Sequence, residues 1–403
     1  MSLSRVLELH DLGKAAASKH PRRRFLYDRL AGSEGRHFTG IVGPRGAGKT
    51  VLLRQYALAH SEACYISADT LEPEEDLWDL ICSLKEHYGF HTFLLDEVHF
   101  LANANGLLKR LYDFLDIRVF FSSSMALAMR ASEHDLSRRV KLLELHNFSF
   151  REYLAFKEGV DLPVCSLETL AQWQWTTDHL RAGRFFDRYL TGGGLLPFAL
   201  EEPEPLPFLR NIVEKVIARD IPSVARLRMD ELDHIRRLLR FVGRSGVDGI
   251  NYSSLSRNLG ITKYKAEQYV DCLEKAFVLH RILPAGTNVI REPKILMAPP
   301  CRLLYRDAED AIGGLREDFF VEMLRQSEHE VAYLKSTRGA KTPDYLVTDK
   351  QIPGTPPLVV EVGGKGKGRE QFKGIDIDRK LVFAHADAPA AGKIPLFLAG
   401  FLN

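Results

Sequence analysis

Residues 40–50, GIVGPRGAGKT, limit what this chain can fold into more than any other stretch. Gly43, Gly48, Lys49 and Thr50 stand at the spacing G-x-x-x-x-G-K-[ST]. An apolar run, residues 38–42, precedes them, and Val51, Leu52 and Leu53 open a helix after them. Strand, glycine loop and helix in that order make a phosphate cradle. Glycines reach backbone angles closed to other residues, so successive N–H groups can converge on phosphate oxygens. The cradle comprises Gly43, Pro44, Arg45, Gly46, Ala47, Gly48, Lys49, Thr50 and Val51. Lys49 would reach the β- and γ-phosphates of ATP, and Thr50 would offer its hydroxyl to Mg2+.

A second constraint lies one crossover unit downstream, in TFLLDEVHF. Residues 92–95 read as a buried parallel strand that delivers Asp96 and Glu97 to its C-terminal edge, where ligands of parallel sheets bind. The first acid suits Mg2+ support and the second suits polarising a water. The run IRVFFSSS predicts a further strand ending at Ser122, Ser123 and Ser124, and Ser123 can either sense a γ-phosphate or cap a helix. Arg139 precedes a strand over 140–145; it can stabilise charge on a transferring phosphoryl group, in its own chain or a neighbour's, or form a surface pair. The cluster Arg22, Arg23 and Arg24 reads as a solvated face.

The chain has 403 residues, enough for two or three domains. A net charge of +2 makes no global case for nucleic acid, and five scattered cysteines with no C-x-x-C pair suit a reducing compartment better than a disulfide framework. No apolar run approaches the ~20 residues of a membrane span, and the charged N-terminus does not resemble a signal peptide. A cytoplasmic protein without membrane contact is the expectation.

Taken together, GPRGAGKT, LLDEVH, the strand ending in SSS, DLSRRVKLLELHNFSFREYL and YLTGGGLLP resemble prokaryotic ATPases of the AAA-like class that carry a C-terminal domain of nuclease-like fold. The family has threonine-glycine before its serines and glycine before the arginine matching Arg139; here Phe121, Ser122 and Arg138 stand there. The resemblance implies an α/β chain with a five-stranded parallel P-loop NTPase core that hydrolyses ATP, with Glu97 as the water-activating base and Lys49 and Arg139 assisting. It implies an AAA-like core in 1–150, a helical lid and connector in 151–228, a winged-helix-like domain in 229–290 and a restriction-endonuclease-like α/β domain in 291–403, the nucleotide state repositioning the later domains. A homo-oligomer is a candidate state.

The later half carries its own patterns. Helices over 231–242, 252–259 and 262–277, with a glycine turn at Gly260, form a helix-turn-helix pattern, and VLHRILP can supply the hairpin of a winged version. Lys263, Tyr264, Lys265 and Gln268 would be its DNA contacts; packing without DNA is the other account. Beyond it, Glu317 on a helix, Asp344 opening a strand and Glu361 in the next resemble a restriction-endonuclease-like metal site. Such a site needs a lysine two residues past the glutamate, where this chain has Gly363, and Lys365 is the candidate substitute. The loop with Lys365, Lys367, Arg369 and Lys373 among glycines is either a phosphate-contacting patch or a solvated loop.

Overall fold

The apolar run before the glycine loop forms β1 (Phe38–Val42), buried along its whole length. It lies inside a five-stranded parallel sheet with β2 (Ala63–Ser67), β3 (Thr92–Asp96), β4 (Arg118–Ser123) and β5 (Val140–Glu144), in the order β2-β3-β4-β1-β5. The computed structural model describes residues 3–71, 76–101, 103–124, 136, 138–225, 227–246, 248–286, 292–335, 342–349, 354–390 and 392–403. It divides into two compact units, Met1–His146 and Asn147–Asn403.

In the first unit the loop helix Lys49–Ala59 buries Leu52, Leu53 and Tyr56 against Ile41, Leu94 and Phe120 of the sheet. Each such side chain removed from water contributes about 1.5–3 kcal/mol, which pins the helix and therefore the loop that starts it. Register places Val42 beside Ser123 and Glu144. The ends of β4, β1 and the edge strand β5 thus arrive together at the loop.

The second unit begins with short helices, whose Phe150, Phe186, Tyr189 and Leu195 share one core with Phe319 and Phe320 of the helix Ala308–Gln326 and with Phe397 and Phe401 near the C-terminus. The helix-turn-helix is present as Met229–Arg244, Tyr252–Leu259 and Lys263–Lys275, the turn closed by Gly260 at φ 67°. β6 (Leu279–Ile282) and β7 (Lys294–Met297) follow as an antiparallel pair, so the hairpin extends past residue 290. The last sheet is mixed, in the order β12-β11-β10-β9-β8, from β8 (His329–Tyr333), β9 (Tyr345–Asp349), β10 (Leu358–Gly364), β11 (Lys380–His385) and β12 (Lys393–Pro395). β8, β9 and β10 pair antiparallel, while β10, β11 and β12 run parallel. None of the described helices is long and apolar enough to cross a membrane.

Candidate functional site

Gly46 and Gly48 take φ values of 82° and 94°, which a side chain would strain. At Gly43 the restriction is space, since a Cβ would overlap the carbonyl oxygen of Leu145. The helix that follows has no side-chain cap on its first turn, leaving backbone donors and the positive end of the dipole for an anion. Lys49 is buried, its Nζ donating to the carbonyl oxygens of Gly43 at 2.8 Å and Pro44 at 3.0 Å. The ammonium is therefore held over the loop, with Thr50 and Val51 following it.

Arg24 does not lie on a solvated face. It is buried, and its guanidinium donates to the Ala47 carbonyl inside the loop and, at 2.8 Å, to the His146 carbonyl after β5. Arg23 stacks on Tyr27 at 4.2 Å. The bland reading of the arginine cluster fails for Arg24 because a planar, always charged guanidinium is the side chain best able to satisfy two buried carbonyls at once.

At the end of β3, Asp96 is 2% exposed and accepts hydrogen bonds from Ser122 Oγ and, at 2.8 Å, from Tyr65 Oη. Ser122 Oγ also accepts from the backbone N–H of Glu97 at 2.9 Å. One hydroxyl thus braces both acids, although Ser122 stands where the family pattern has glycine. Glu97 sits at φ 54°, a left-handed conformation that costs a non-glycine residue about 1 kcal/mol or more. Its Oε2 lies 3.2 Å from His99 Nδ1, which is also 3.5 Å from Ser123 Oγ. Burial alone would raise the Glu97 pKa, but hydrogen bonding to His99 and the charges of Lys49 and Arg45 bring it down to about 2. Among the described residues His99 Nε2 and Ser124 Oγ are buried with no hydrogen-bond partner.

The structure therefore brings Lys49, Asp96, Glu97 and Ser123 to one edge of the sheet. Arg139 is not there. Its carbonyl accepts from Phe38 N–H at the start of β1, so it lies at the opposite edge, about 17 Å away for five strand residues. Its guanidinium is engaged with Asp113 at 2.9 and 3.0 Å. Of the alternatives open for Arg139, this geometry favours the surface pair over a contact with the nucleotide of its own chain. His99 and Ser122 are the site residues that sequence reasoning missed; the only signal was their position inside LLDEVH and the serine run.

Residues 35–154 match a sequence family described as an AAA domain. The five-stranded parallel sheet with its glycine loop fits a P-loop NTPase core. Residues 184–299 match a domain of unknown function, DUF8612. The chain is 27% identical over 399 residues to the uncharacterized protein MJ1637 of Methanocaldococcus jannaschii, covering 88% of this chain and 83% of that protein. Similar solved structures include the Aeropyrum pernix ORC1 protein in complex with DNA, at 14% identity and a TM-score of 0.31, over 78% of this chain and 94% of that one. Another is the S. cerevisiae Hsp104–ADP complex, at 15% identity and 0.31, over 62% and 38%.

The second unit holds a cavity of about 760 Å³ lined by Asp344, Glu361, Lys294, Lys367 and Gln371 among others. Glu317 lies close by, bonded by Lys294 Nζ and Tyr345 Oη at 2.5 Å each. Asp344 accepts from Val362 N–H at 2.8 Å; burial, then the charges of Glu317 and Glu361, push it up to about 7. Lys367 Nζ is bonded to Glu361 Oε1, while Glu361 Oε2 is buried with no partner among the described residues. Lys365, the expected substitute lysine, points away to Asp387 at 3.0 Å, with both side chains largely exposed. Among the described residues no three His, Cys, Asp or Glu side chains gather as a metal cage. On the helix-turn-helix, Lys265 is tied to Glu231 and Gln268, and Lys263 to Glu292, so both candidate DNA-contacting lysines are already matched by carboxylates.

Proposed function

We propose that the first unit hydrolyses ATP at the loop of residues 43–51, with Glu97 as the acceptor for the attacking water. The observation that carries this reading is the bracing of Asp96 and Glu97 by Ser122, with His99 holding the Glu97 carboxylate and Lys49 close enough to lower its pKa. Buried carboxylate oxygens of Asp96 and the Thr50 hydroxyl fit a hard cation, and bound Mg2+ would neutralise β- and γ-phosphate oxygens. The water oxygen bonds to the γ-phosphorus, the bond to the bridging β–γ oxygen breaks with its electrons leaving on ADP, and Glu97 accepts a water proton. A carboxylate as acidic as Glu97 orients the water more than it keeps the proton, and the nucleotide's negative charge moves its pKa back toward neutrality. Phosphate release by wild type and by Glu97→Gln, with binding of a fluorescent ATP analogue, tests this reading. Equal, near-zero rates despite bound ATP would remove it.

A second reading, metal-aided chemistry on a phosphodiester, belongs to the cavity of the second unit. It is favoured by the unpartnered, fully buried Glu361 Oε2 beside Asp344. Two carboxylates lining one cavity suit a small hard cation that completes its shell with water and phosphate oxygens. Incubating labelled duplex and single-stranded DNA with the protein and Mn2+ tests it, intact strands counting against it.

A further inference from the structure

Glu361 and residue 363 project from the same face of β10, because side chains alternate along a strand. At position 363 there is no side chain, yet the space is not empty. A Cβ built on Gly363 would lie 2.9 Å from Cε and 3.0 Å from Cδ of Lys367, and closer still to its Cγ, nearer than side chains ever pack. The stem of Lys367 thus runs through the volume that a residue-363 side chain would take. A tight turn makes this possible, closed by Lys367 N–H donating to the Gly364 carbonyl at 3.0 Å. The ammonium ends on Glu361 Oε1, at the edge of the 760 Å³ cavity. Lys365, two residues earlier in the same loop, has its charge in solvent.

The neighbouring groups show what such a lysine can meet. Lys294 and Tyr345 both donate to Oε2 of Glu317, and the carboxylates that line the cavity itself are Asp344 and Glu361, the latter with its Oε2 buried and unpartnered among the described residues. Two donors hold a small divalent cation weakly, and a phosphate that bridges to it supplies the missing oxygens. Lys367 is exposed enough to swing, and one ammonium facing a phosphate oxygen completes the set.

We propose that Lys367, entering through the side-chain space of Gly363, is the phosphate-contacting cation of this cavity, and that the cavity takes a divalent cation and a nucleic-acid phosphodiester together. This rests on the second reading above. The test is the affinity of a fluorescein-labelled duplex oligonucleotide for the full chain without nucleotide, with and without Mn2+, at fixed salt. Wild type should bind at least about tenfold tighter with Mn2+, a gain worth one bridging contact. Lys367→Ala should lose that gain, falling to within about twofold, whereas Lys365→Ala, which removes the same charge from the same loop, should keep it. The exchange Gly363→Lys with Lys367→Gly puts the ammonium back by the direct route and should recover it. A Lys367→Ala protein that keeps the Mn2+ gain overturns the proposal, as does an exchange protein that melts like wild type but shows no gain. No Mn2+ effect in wild type overturns the second reading itself.

Discussion

His99 places Nδ1 3.2 Å from Glu97 Oε2 and 3.5 Å from Ser123 Oγ, so one imidazole joins the acid after β3 to the serine that ends β4. Glu97 needs such a tether because its backbone is left-handed and its carboxylate has few other partners. Removing the ring in His99→Ala should leave the loop intact and free the carboxylate to rotate. A misplacement of that kind costs about 10- to 100-fold in kcat. Phosphate release should fall accordingly, while the dissociation constant of a fluorescent ATP analogue changes by less than about threefold, since the binding contacts of Lys49 are untouched. His99→Asn, which keeps a polar atom near Nδ1, should recover part of the loss.

Gly40 and Phe121 face each other across β1 and β4. A Cβ at Gly40 would fall 2.5 Å from Phe121 Cζ and 2.7 Å from Leu142 Cδ2, so the ring fills the space a side chain would take and cannot retreat. Gly40→Ala should therefore cost about 1–3 kcal/mol by overpacking. Urea unfolding should show the loss, and adding Phe121→Leu should return part of it.

Much of the first unit was legible because its chemistry is local. The loop directly follows β1 and the acid pair directly ends or follows β3, so short runs of sequence are enough to locate them. Arg24 was not legible, because its function depends on Ala47 and His146, which are 23 and 122 residues away in the chain. Charge clusters near a terminus look solvated unless the fold buries them. Arg139 stands before β5, and in a parallel sheet a residue before a strand lies at the end opposite the loop that follows β1, so its distance from the site was legible from element order. Lys367 was hidden by a turn, since spacing arguments count along the strand and the lysine returns through space to the position that Gly363 leaves open.

The Arg24 clamp predicts a loss of both stability and affinity. In Arg24→Met the stem is kept but two buried carbonyls lose their donor, at about 1–3 kcal/mol each if water does not enter. The melting temperature should fall by several degrees for a domain of this size. Binding of ATP should weaken about tenfold, because Ala47 sits inside the loop and a looser loop must be ordered at the ligand's expense. Calorimetric titration with ATP checks this; an unchanged affinity in a folded variant would show that the clamp holds the fold and not the site.

Glu231 gives the pH dependence of the helices Met229–Arg244 and Lys263–Lys275. Its carboxylate accepts from the Arg228 backbone N–H at 2.9 Å, from Lys265 Nζ at 2.5 Å and from Tyr269 Oη at 2.9 Å. The Arg228 N–H first, then Lys265, hold its pKa down to about 2, from an ordinary value of 4.5, against the opposing effect of burial. A carboxyl whose pKa is depressed on folding binds fewer protons folded than unfolded. Its stabilisation is therefore complete above pH 4.5 and lost as the pH falls toward about 2. Glu231→Gln, which keeps the shape and removes the charge, should be less stable than wild type by about 2 kcal/mol at pH 7. The gap should narrow steadily in urea melts between pH 4.5 and pH 3, because the wild-type protein then loses by protonation what the variant never had. A gap that stays constant with pH would mean that packing around Tyr269, not the charge, sets the contribution of this residue.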